Sequence, residues 1–190
     1  MRRIVAGLLV ALVGCLICAP TFADEPPVSQ QALLLLRILA YDRGLKARTG
    51  GQKVVVAVAY RAGDKSSEDA RSKVVRSLED VAGETTVLGM KVAITSIAVD
   101  GSLDDKVNGA HPAALYICPG LDDAIGPISQ VTRRRSVLSL APRPEPARNG
   151  LAVGFDVRDA RTVVIVNLAA ARAEGVDFES AFLRVAEVIK

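Results

Sequence analysis

Residues 53–60 read Lys-Val-Val-Val-Ala-Val-Ala-Tyr. β-Branched and small apolar residues follow one another here without the polar alternation of a half-exposed strand. Such a run predicts a β-strand that is buried on both faces, and strands of this kind belong to parallel sheets with helices on both sides. The stretch therefore predicts an α/β fold.

The same order of strand and helix repeats along the chain. An apolar helix is predicted from Val28 to Leu45, with Gly44 ending it. Three more strands are predicted over residues 91–99, 113–118 and 137–140. Helical segments are predicted over 66–83 and 121–132, with a short helix or loop over 100–108. Strands alternating with helices at this spacing predict a single domain, with a mostly parallel sheet and helices on both faces.

The chain changes character after residue 140. Residues 141–149 contain three prolines alternating with charged residues, which predicts an irregular, exposed segment that is neither strand nor helix. Residues 150–157 and 161–166 are two apolar runs joined by a short polar turn, the pattern of a β-hairpin. The sheet is therefore predicted to end in a C-terminal β-hairpin.

Two helices are predicted after the hairpin. Asn167 is expected to cap a short helix over residues 168–172, which Gly175 ends. Asp177 is expected to cap a closing helix, because apolar residues recur at helical spacing over residues 178–189. The predicted architecture is thus a parallel α/β sheet followed by a hairpin and a closing helix.

The N-terminus is typical of an exported protein. Arg2 and Arg3 precede an apolar run over residues 4–18, small residues follow up to Ala23, and the chain then turns polar. This order predicts a secretory signal peptide over residues 1–23. The remaining residues, 24–190, are expected to form one α/β domain in the periplasm.

A lipoprotein is the alternative interpretation of the same segment. Leu-Val-Gly-Cys at residues 12–15 has the form of a lipoprotein cleavage site, in which Cys15 would be acylated. The apolar run continues past this cysteine over residues 16–18, which favours plain cleavage. Elsewhere the sequence has no apolar stretch near the 20 or so residues that cross a bilayer.

The net charge does not point to nucleic acid. The formal charge of +3 includes Arg2 and Arg3, which leave with a cleaved signal peptide. The one dense basic run, Arg133 to Arg135, has no aromatic residue among its arginines. It is interpreted as the solvated end of a helix, with an anion or phosphate site as the alternative.

Residues that could perform chemistry are sparse. His111 is the only histidine, and Cys118 is the only cysteine outside the predicted signal peptide, so neither a metal site nor an intramolecular disulfide is expected. Cys118 is interpreted as a buried small hydrophobe, with a reactive or pairing thiol as the alternative. The sequence has no Gly-x-Ser-x-Gly and no glycine-rich phosphate loop. We therefore expect no catalytic residue and no cofactor, and we expect that the protein is not an enzyme.

The last part of the chain resembles a known family. A strand led by Gly150, a hairpin ending at Asn167, a short helix with Gly175 and a closing Phe-Leu-Arg-Val-Ala-Glu-Val at residues 182–188 resemble the C-terminal part of the YfiR family. The apolar first helix and the first three strands fit the layout of that family too. The resemblance covers most of the exported chain and is specific only at the C-terminus.

This resemblance implies a regulatory role. It implies a periplasmic protein that binds the external domain of a membrane-bound diguanylate cyclase, or of a sensor kinase, and restrains it, so that no nucleotide touches the protein. A homodimer is an option. The best-known type carries paired cysteines, whereas here only Cys118 remains, which argues against redox control by a disulfide.

The hairpin and the loop before it are the expected partner surface. The residues assigned to that surface are Arg148, Leu151, Val153, Arg158 and Arg161. Leu151 and Val153 have strand core as an alternative interpretation. A solute-binding protein is the second functional hypothesis, although such proteins usually have two lobes around a cleft and this chain supplies one. An exported hydrolase is the third.

Overall fold

The computed structural model describes residues 25–189. The predicted signal peptide and Cys15 lie outside the described residues. The helices and strands follow each other in this order: α1 (Val28–Ala40), α2 (Leu45–Arg48), β1 (Lys53–Tyr60), α3 (Lys65–Glu84), β2 (Lys91–Ala98), α4 (Leu103–Ala110), β3 (Ala114–Ile117), a 3-10 turn (Asp122–Ala124), α5 (Ile125–Arg135), β4 (Leu138–Ala141), α6 (Pro144–Arg148), β5 (Val153–Arg158), β6 (Arg161–Asn167), α7 (Leu168–Ala173), α8 (Ser180–Leu183) and β7 (Glu187–Ile189).

The seven strands of the described chain form one sheet in the order β2-β1-β3-β4-β5-β6-β7. The strands from β2 to β5 are parallel, β6 is antiparallel to β5, and β7 is parallel to β6. The predicted class is confirmed: a mostly parallel α/β sheet with a C-terminal hairpin.

The sheet is covered on both faces, as residues 53–60 predict. Val54, Val56 and Val58 pack with α1 and α3 on one face, and Ala57 and Ala59 pack with α4 and α5 on the other. Since successive side chains of a strand point to opposite faces, a strand buried on both sides needs apolar residues at every position.

The connections turn in opposite directions on either side of β1. The chain passes from β1 through α3 to β2 at one edge of the sheet, and later from β3 through α5 to β4 in the other direction. The carboxyl ends of β1 and β3 are therefore the topological switch point of the sheet, the place where α/β proteins usually bind ligands.

The prediction for residues 141–149 is wrong, because they contain the helix α6. Pro144 and Pro146 are the first and third residues of this helix. The backbone N–H groups of the first turn have no partner inside a helix, so prolines are tolerated there. Both prolines and Ala147 are buried, so the segment packs one side against the domain, and only Glu145, Arg148 and Asn149 are exposed.

The predicted closing helix over residues 178–189 is also wrong. The chain forms only the short α8 and then the strand β7, which pairs with β6 from Ile165 to Asn167. Asp177 is not a helix cap: its backbone N–H donates to the Asp42 carboxylate. Val185, one of the apolar residues at helical spacing in this segment, is 81% exposed. The open edge of β6 offers backbone hydrogen bonds along a strand, and these prevail over the helical spacing.

Helix ends differ from expectation by a few residues. The helix predicted from residue 66 begins at Lys65 and is capped by Asp64, since the Ser67 N–H donates to the Asp64 carboxylate at 2.9 Å. The first helix ends at Ala40, and a turn separates it from the short α2.

Candidate functional site

The tip of the C-terminal hairpin projects beyond its neighbouring strand. β4 pairs with β5 only at Val153 and Gly154, whereas β5 and β6 pair as far as Arg158 and Arg161. Residues 155–158, roughly 13 Å of strand, thus have β6 beside them and no strand of the described chain on the other side. The end of this ribbon, residues 158–161, is exposed, whereas Phe155 is buried, and the exposed tip lies where the partner surface is expected.

The charges at the hairpin tip are partly neutralised. Arg158 donates to Asp156 at 2.7 Å and to Glu187 of β7 at 2.5 Å. These hydrogen bonds, the one to Glu187 first, raise the pKa of the Arg158 guanidinium. Arg161 lies directly opposite Arg158 in the hairpin, is exposed, and has no ion pair with another described residue. Arg161 is therefore the cation at this tip that a partner can engage without breaking an existing pair.

The other expected surface residues do not join this tip. Arg148 is exposed at the end of α6, on a separate element. Leu151 and Val153 are 0% exposed and pack in the core on opposite faces of the sheet. The assignment of Leu151 and Val153 to an exposed surface needs correction, because both side chains are enclosed where β5 enters the sheet. Their alternative, strand core, is the one that the structure supports.

The residues that carry the family resemblance have local structural roles. The Asn167 side chain caps α7, accepting from the Ala170 N–H at 3.0 Å, and donates to the Ala147 carbonyl oxygen at 2.9 Å. Gly150 and Gly175 have φ of 116° and 72°, a region in which side chains other than glycine are strained. These contacts hold α6, the hairpin and α7 together.

The switch point is closed by Arg61, a residue to which the sequence assigned no role. The Arg61 Nε donates to the Gly120 carbonyl oxygen at 2.8 Å, and its guanidinium forms an ion pair with Asp123. Its backbone N–H donates to the Ser67 hydroxyl at 3.0 Å. Only its position after β1 marks Arg61 in the sequence, because Asp123 lies 62 residues away.

A groove of about 310 Å³ lies beside this closed crevice, between the start of α1 and the first half of α3. The Tyr116 hydroxyl at its base donates to Gln31 Oε1 at 2.5 Å, and both side chains are buried. Glu25 and Lys73 line it with opposite charges. Burial raises the pKa of the Glu25 carboxyl, and the neighbouring Arg143 partly offsets that effect.

The remaining chemical candidates have structural surroundings. Cys118 is buried, and burial raises the pKa of its thiol to about 12, so it is held as an unreactive thiol. His111 is exposed at the end of α4. Arg133 donates to the Gly150 carbonyl oxygen and Arg135 pairs with Asp104 at 2.6 Å, which agrees with a helix end. Within residues 25–189 no group of acidic, histidine and cysteine side chains could hold a metal ion.

The fold defines a class of α/β domain that also occurs in solute-binding proteins. A substrate-binding protein with adhesive properties from Clostridium difficile aligns with a TM-score of 0.60 and 16% identity, over 88% of this chain and 61% of its own. A domain from Streptococcus pneumonia in complex with L-Trp aligns with a TM-score of 0.57 and 12% identity, over 86% and 62%. A conserved domain protein from Vibrio cholerae aligns with a TM-score of 0.58 and 15% identity, over 86% of this chain and 60% of its own. This chain thus spans about three fifths of the length of each of these proteins.

The chain belongs to the YfiR/HmsC-like family, whose family model matches residues 31–187. The resemblance found at the C-terminus thus extends over nearly the whole described domain. No curated protein sequence matches the chain significantly. In the part of the chain that the structure describes, no helix is long and apolar enough to cross a membrane.

Proposed function

We propose that this chain is a periplasmic regulatory protein that binds the periplasmic domain of a membrane-bound diguanylate cyclase or sensor kinase and restrains that enzyme. The observation that carries the proposal is the family match over residues 31–187. The proposal includes a signal peptide over residues 1–23, cleavage after Ala23 and one exported domain over 24–190. A homodimer is compatible with it.

The hairpin tip is the proposed contact with the partner. It projects from the sheet, so a second protein can reach it without opening the domain. Arg161 is exposed there, and its cross-strand neighbour Arg158 already pairs with Asp156 and Glu187. Arg148 at the end of α6 is retained as a secondary contact. Leu151 and Val153 support the hairpin from the core and are not part of the contact.

The test combines capture with a cellular readout. Tagged protein is applied to detergent-solubilised membranes of its own host, and retained proteins are identified by mass spectrometry. We expect a cyclase or sensor kinase with a periplasmic domain, and a rise of cyclic-di-GMP when the gene for this protein is deleted. A folded protein that retains no such enzyme, with unchanged cyclic-di-GMP on deletion, contradicts the proposal.

The contact surface is tested with charge reversals. Arg161→Glu is expected to weaken capture of the partner at least tenfold without changing the melting temperature. Arg76→Glu is the matched control, because Arg76 is an exposed arginine on α3, away from the hairpin. If both variants capture the partner equally well, the hairpin tip is not the contact.

Binding of a small solute is the second candidate function. It is favoured by the groove between α1 and α3, whose volume of about 310 Å³ lies at the lower end of the range for ligand pockets. Glu25 and Lys73 offer it opposite charges. Titration calorimetry with a panel of small polar metabolites tests it. Saturable binding that Lys73→Ala weakens would favour this function. If no compound of the panel binds, solute binding is excluded as the function of this groove.

A further inference from the structure

A buried carboxyl group joins the C-terminal hairpin to the parallel sheet. Glu174 follows α7, and its side chain is 0% exposed. Its Oε1 accepts from the Thr132 hydroxyl at 2.7 Å and from the Ser139 hydroxyl at 2.6 Å, and its Oε2 accepts from the Ser139 N–H at 2.8 Å. The Ser139 hydroxyl oxygen accepts in turn from the Ala152 N–H at 2.8 Å. The network thus links α5, β4, the start of β5 and the end of α7.

This network lies where the sheet is weakly held together. β4 and β5 share only two register pairs, whereas β1 and β2 share eight. The hairpin therefore depends on side-chain contacts as well as on backbone pairing for its attachment to the parallel strands. Glu174 is central among those contacts because it reaches both β4 and, through Ser139, β5.

The hydrogen bonds can be satisfied in both protonation states of Glu174. The ionised carboxylate accepts all three donors. When the carboxyl is neutral, its O–H can donate to the Thr132 hydroxyl oxygen, because the Thr132 hydroxyl has a second acceptor in the Ser129 carbonyl oxygen at 3.2 Å. No buried polar group of the network is then left without a partner, so the two protonation states differ in the cost of the buried charge and not in the number of satisfied hydrogen bonds.

Few charged groups act on this carboxyl. Arg133 of α5 attracts it, but the Arg133 guanidinium donates to the Gly150 carbonyl oxygen. β4 and β5 contact the network with Ser139 and Ala152, which are uncharged. Two other arginines are near this part of the chain. Arg48 of α2 lies next to Gly175 but is paired with Asp42, and the side chain of Arg172 of α7 is exposed. Burial therefore dominates and raises the pKa of Glu174 to about 7, although its hydrogen bonds and Arg133 oppose the rise.

We propose that Glu174 is a proton-sensitive latch, which holds the C-terminal hairpin firmly to the parallel sheet when the carboxyl is neutral and loosens that attachment when the carboxyl is ionised. The chemical reason is that both forms keep the hydrogen bonds, whereas only the ionised form leaves a buried negative charge that no described residue pairs with in a salt bridge. If the hairpin is the partner contact, as the proposed function has it, the pH of the periplasm would then modulate that contact.

The direction of the effect on stability follows from proton linkage. Because the pKa of Glu174 is raised by folding, the folded protein binds more protons than the unfolded chain between about pH 4.5 and pH 7. The stabilisation that protonated Glu174 gives to the folded protein is present at acid pH and is lost as the pH rises through about 7. Through this group alone, the unfolding equilibrium constant is expected to increase by roughly 70-fold from pH 5 to pH 8.

The first experiment uses the whole exported protein without a partner. Hydrogen exchange of the hairpin amides, corrected for intrinsic rates, is measured at pH 5.5 and pH 8. We expect at least tenfold lower protection at pH 8 over residues 152–166. Glu174→Gln, which keeps the shape and stays neutral, is expected to abolish this difference. Glu79→Gln is the matched control on the exposed side of α3 and is expected to retain it.

A second measurement keeps the inference testable if Glu174→Gln fails to fold. Side-chain ¹³C resonances of glutamate in the wild-type protein report the titration of Glu174 directly. Titration near pH 7 supports the latch, and titration near pH 4.5 overturns it. Equal pH dependence of exchange in wild type and Glu174→Gln overturns it as well. Both readouts are independent of a partner, so their failure is distinguishable from failure of the proposed function.

Discussion

Replacing Gly154 by alanine tests how closely α6 packs on the hairpin. A Cβ atom at Gly154 would lie 2.6 Å from the Arg143 carbonyl oxygen and 3.1 Å from both Pro144 Cα and Ala147 Cβ. Two of these three atoms belong to the backbone, so no flexible side chain can give way. The φ angle of Gly154 is not positive, and the conflict is therefore steric and not conformational.

The magnitude follows from the shift that α6 must make. Contact between a methyl carbon and a carbonyl oxygen needs more than 3 Å, so the start of α6 has to move by several tenths of an ångström while its buried prolines resist. Overpacking of this kind costs about 1–3 kcal/mol. We expect Gly154→Ala to lower the free energy of unfolding by an amount near the upper end of that range, because rigid backbone must move.

Urea unfolding followed by circular dichroism measures this change. Gly83→Ala is the matched control, since Gly83 lies in the last turn of α3 and a Cβ atom there meets nothing within 4 Å. Alanine is the better helix former, so this control is expected to be neutral or to stabilise by up to about 1 kcal/mol. If Gly154→Ala unfolds at the same urea concentration as wild type, α6 does not approach β5 as closely as described.

Three further substitutions test individual contacts by the same unfolding assay. Tyr116→Phe should destabilise by about 1–3 kcal/mol, because Gln31 Oε1 is buried and loses its donor; an unchanged midpoint would show that water replaces it. Asn167→Ala should cost about 1–2 kcal/mol through loss of the α7 cap. Ala160→Gly should stabilise by about 1 kcal/mol, because Ala160 has a φ of 57° in the hairpin turn; a loss of stability would contradict that turn conformation.

Much of the sheet could be predicted from local pattern. The run over residues 53–60 is apolar at every position, and only a strand buried on both faces needs that. The hairpin could be predicted because its two apolar runs are separated by a short polar turn. Asn167 could be assigned as a cap because its partner, the Ala170 N–H, lies three residues away.

The errors occurred where a distant element decides the local structure. Residues 178–189 have helical spacing, yet the end of that segment is a strand because the open edge of β6 binds its backbone. Residues 141–149 contain the helix α6 although three prolines lie among them, because two of these prolines occupy the first turn of that helix. Neither the neighbouring edge nor the exact start of a helix is visible in the local pattern.

The candidate site divides in the same way. The sequence could place Arg158 and Arg161 at a hairpin tip, but it could not show that Asp156 and Glu187 neutralise one of them. The sequence could not decide whether Leu151 and Val153 lie on the surface or in the core. The structure buries both side chains, one on each face of the sheet, and so places them in the core.

The sequence by itself determined the class of sheet, the hairpin and the family resemblance, because each depends on residue types at short spacing. Only the tertiary structure brought Glu174 into contact with Thr132 and Ser139, 42 and 35 residues away along the chain. It also decided that Arg61 closes the switch point. The physical reason is that burial and hydrogen bonding between distant segments depend on how the elements pack, and a single carboxyl or guanidinium in a sequence carries no sign of the partner that packing will give it.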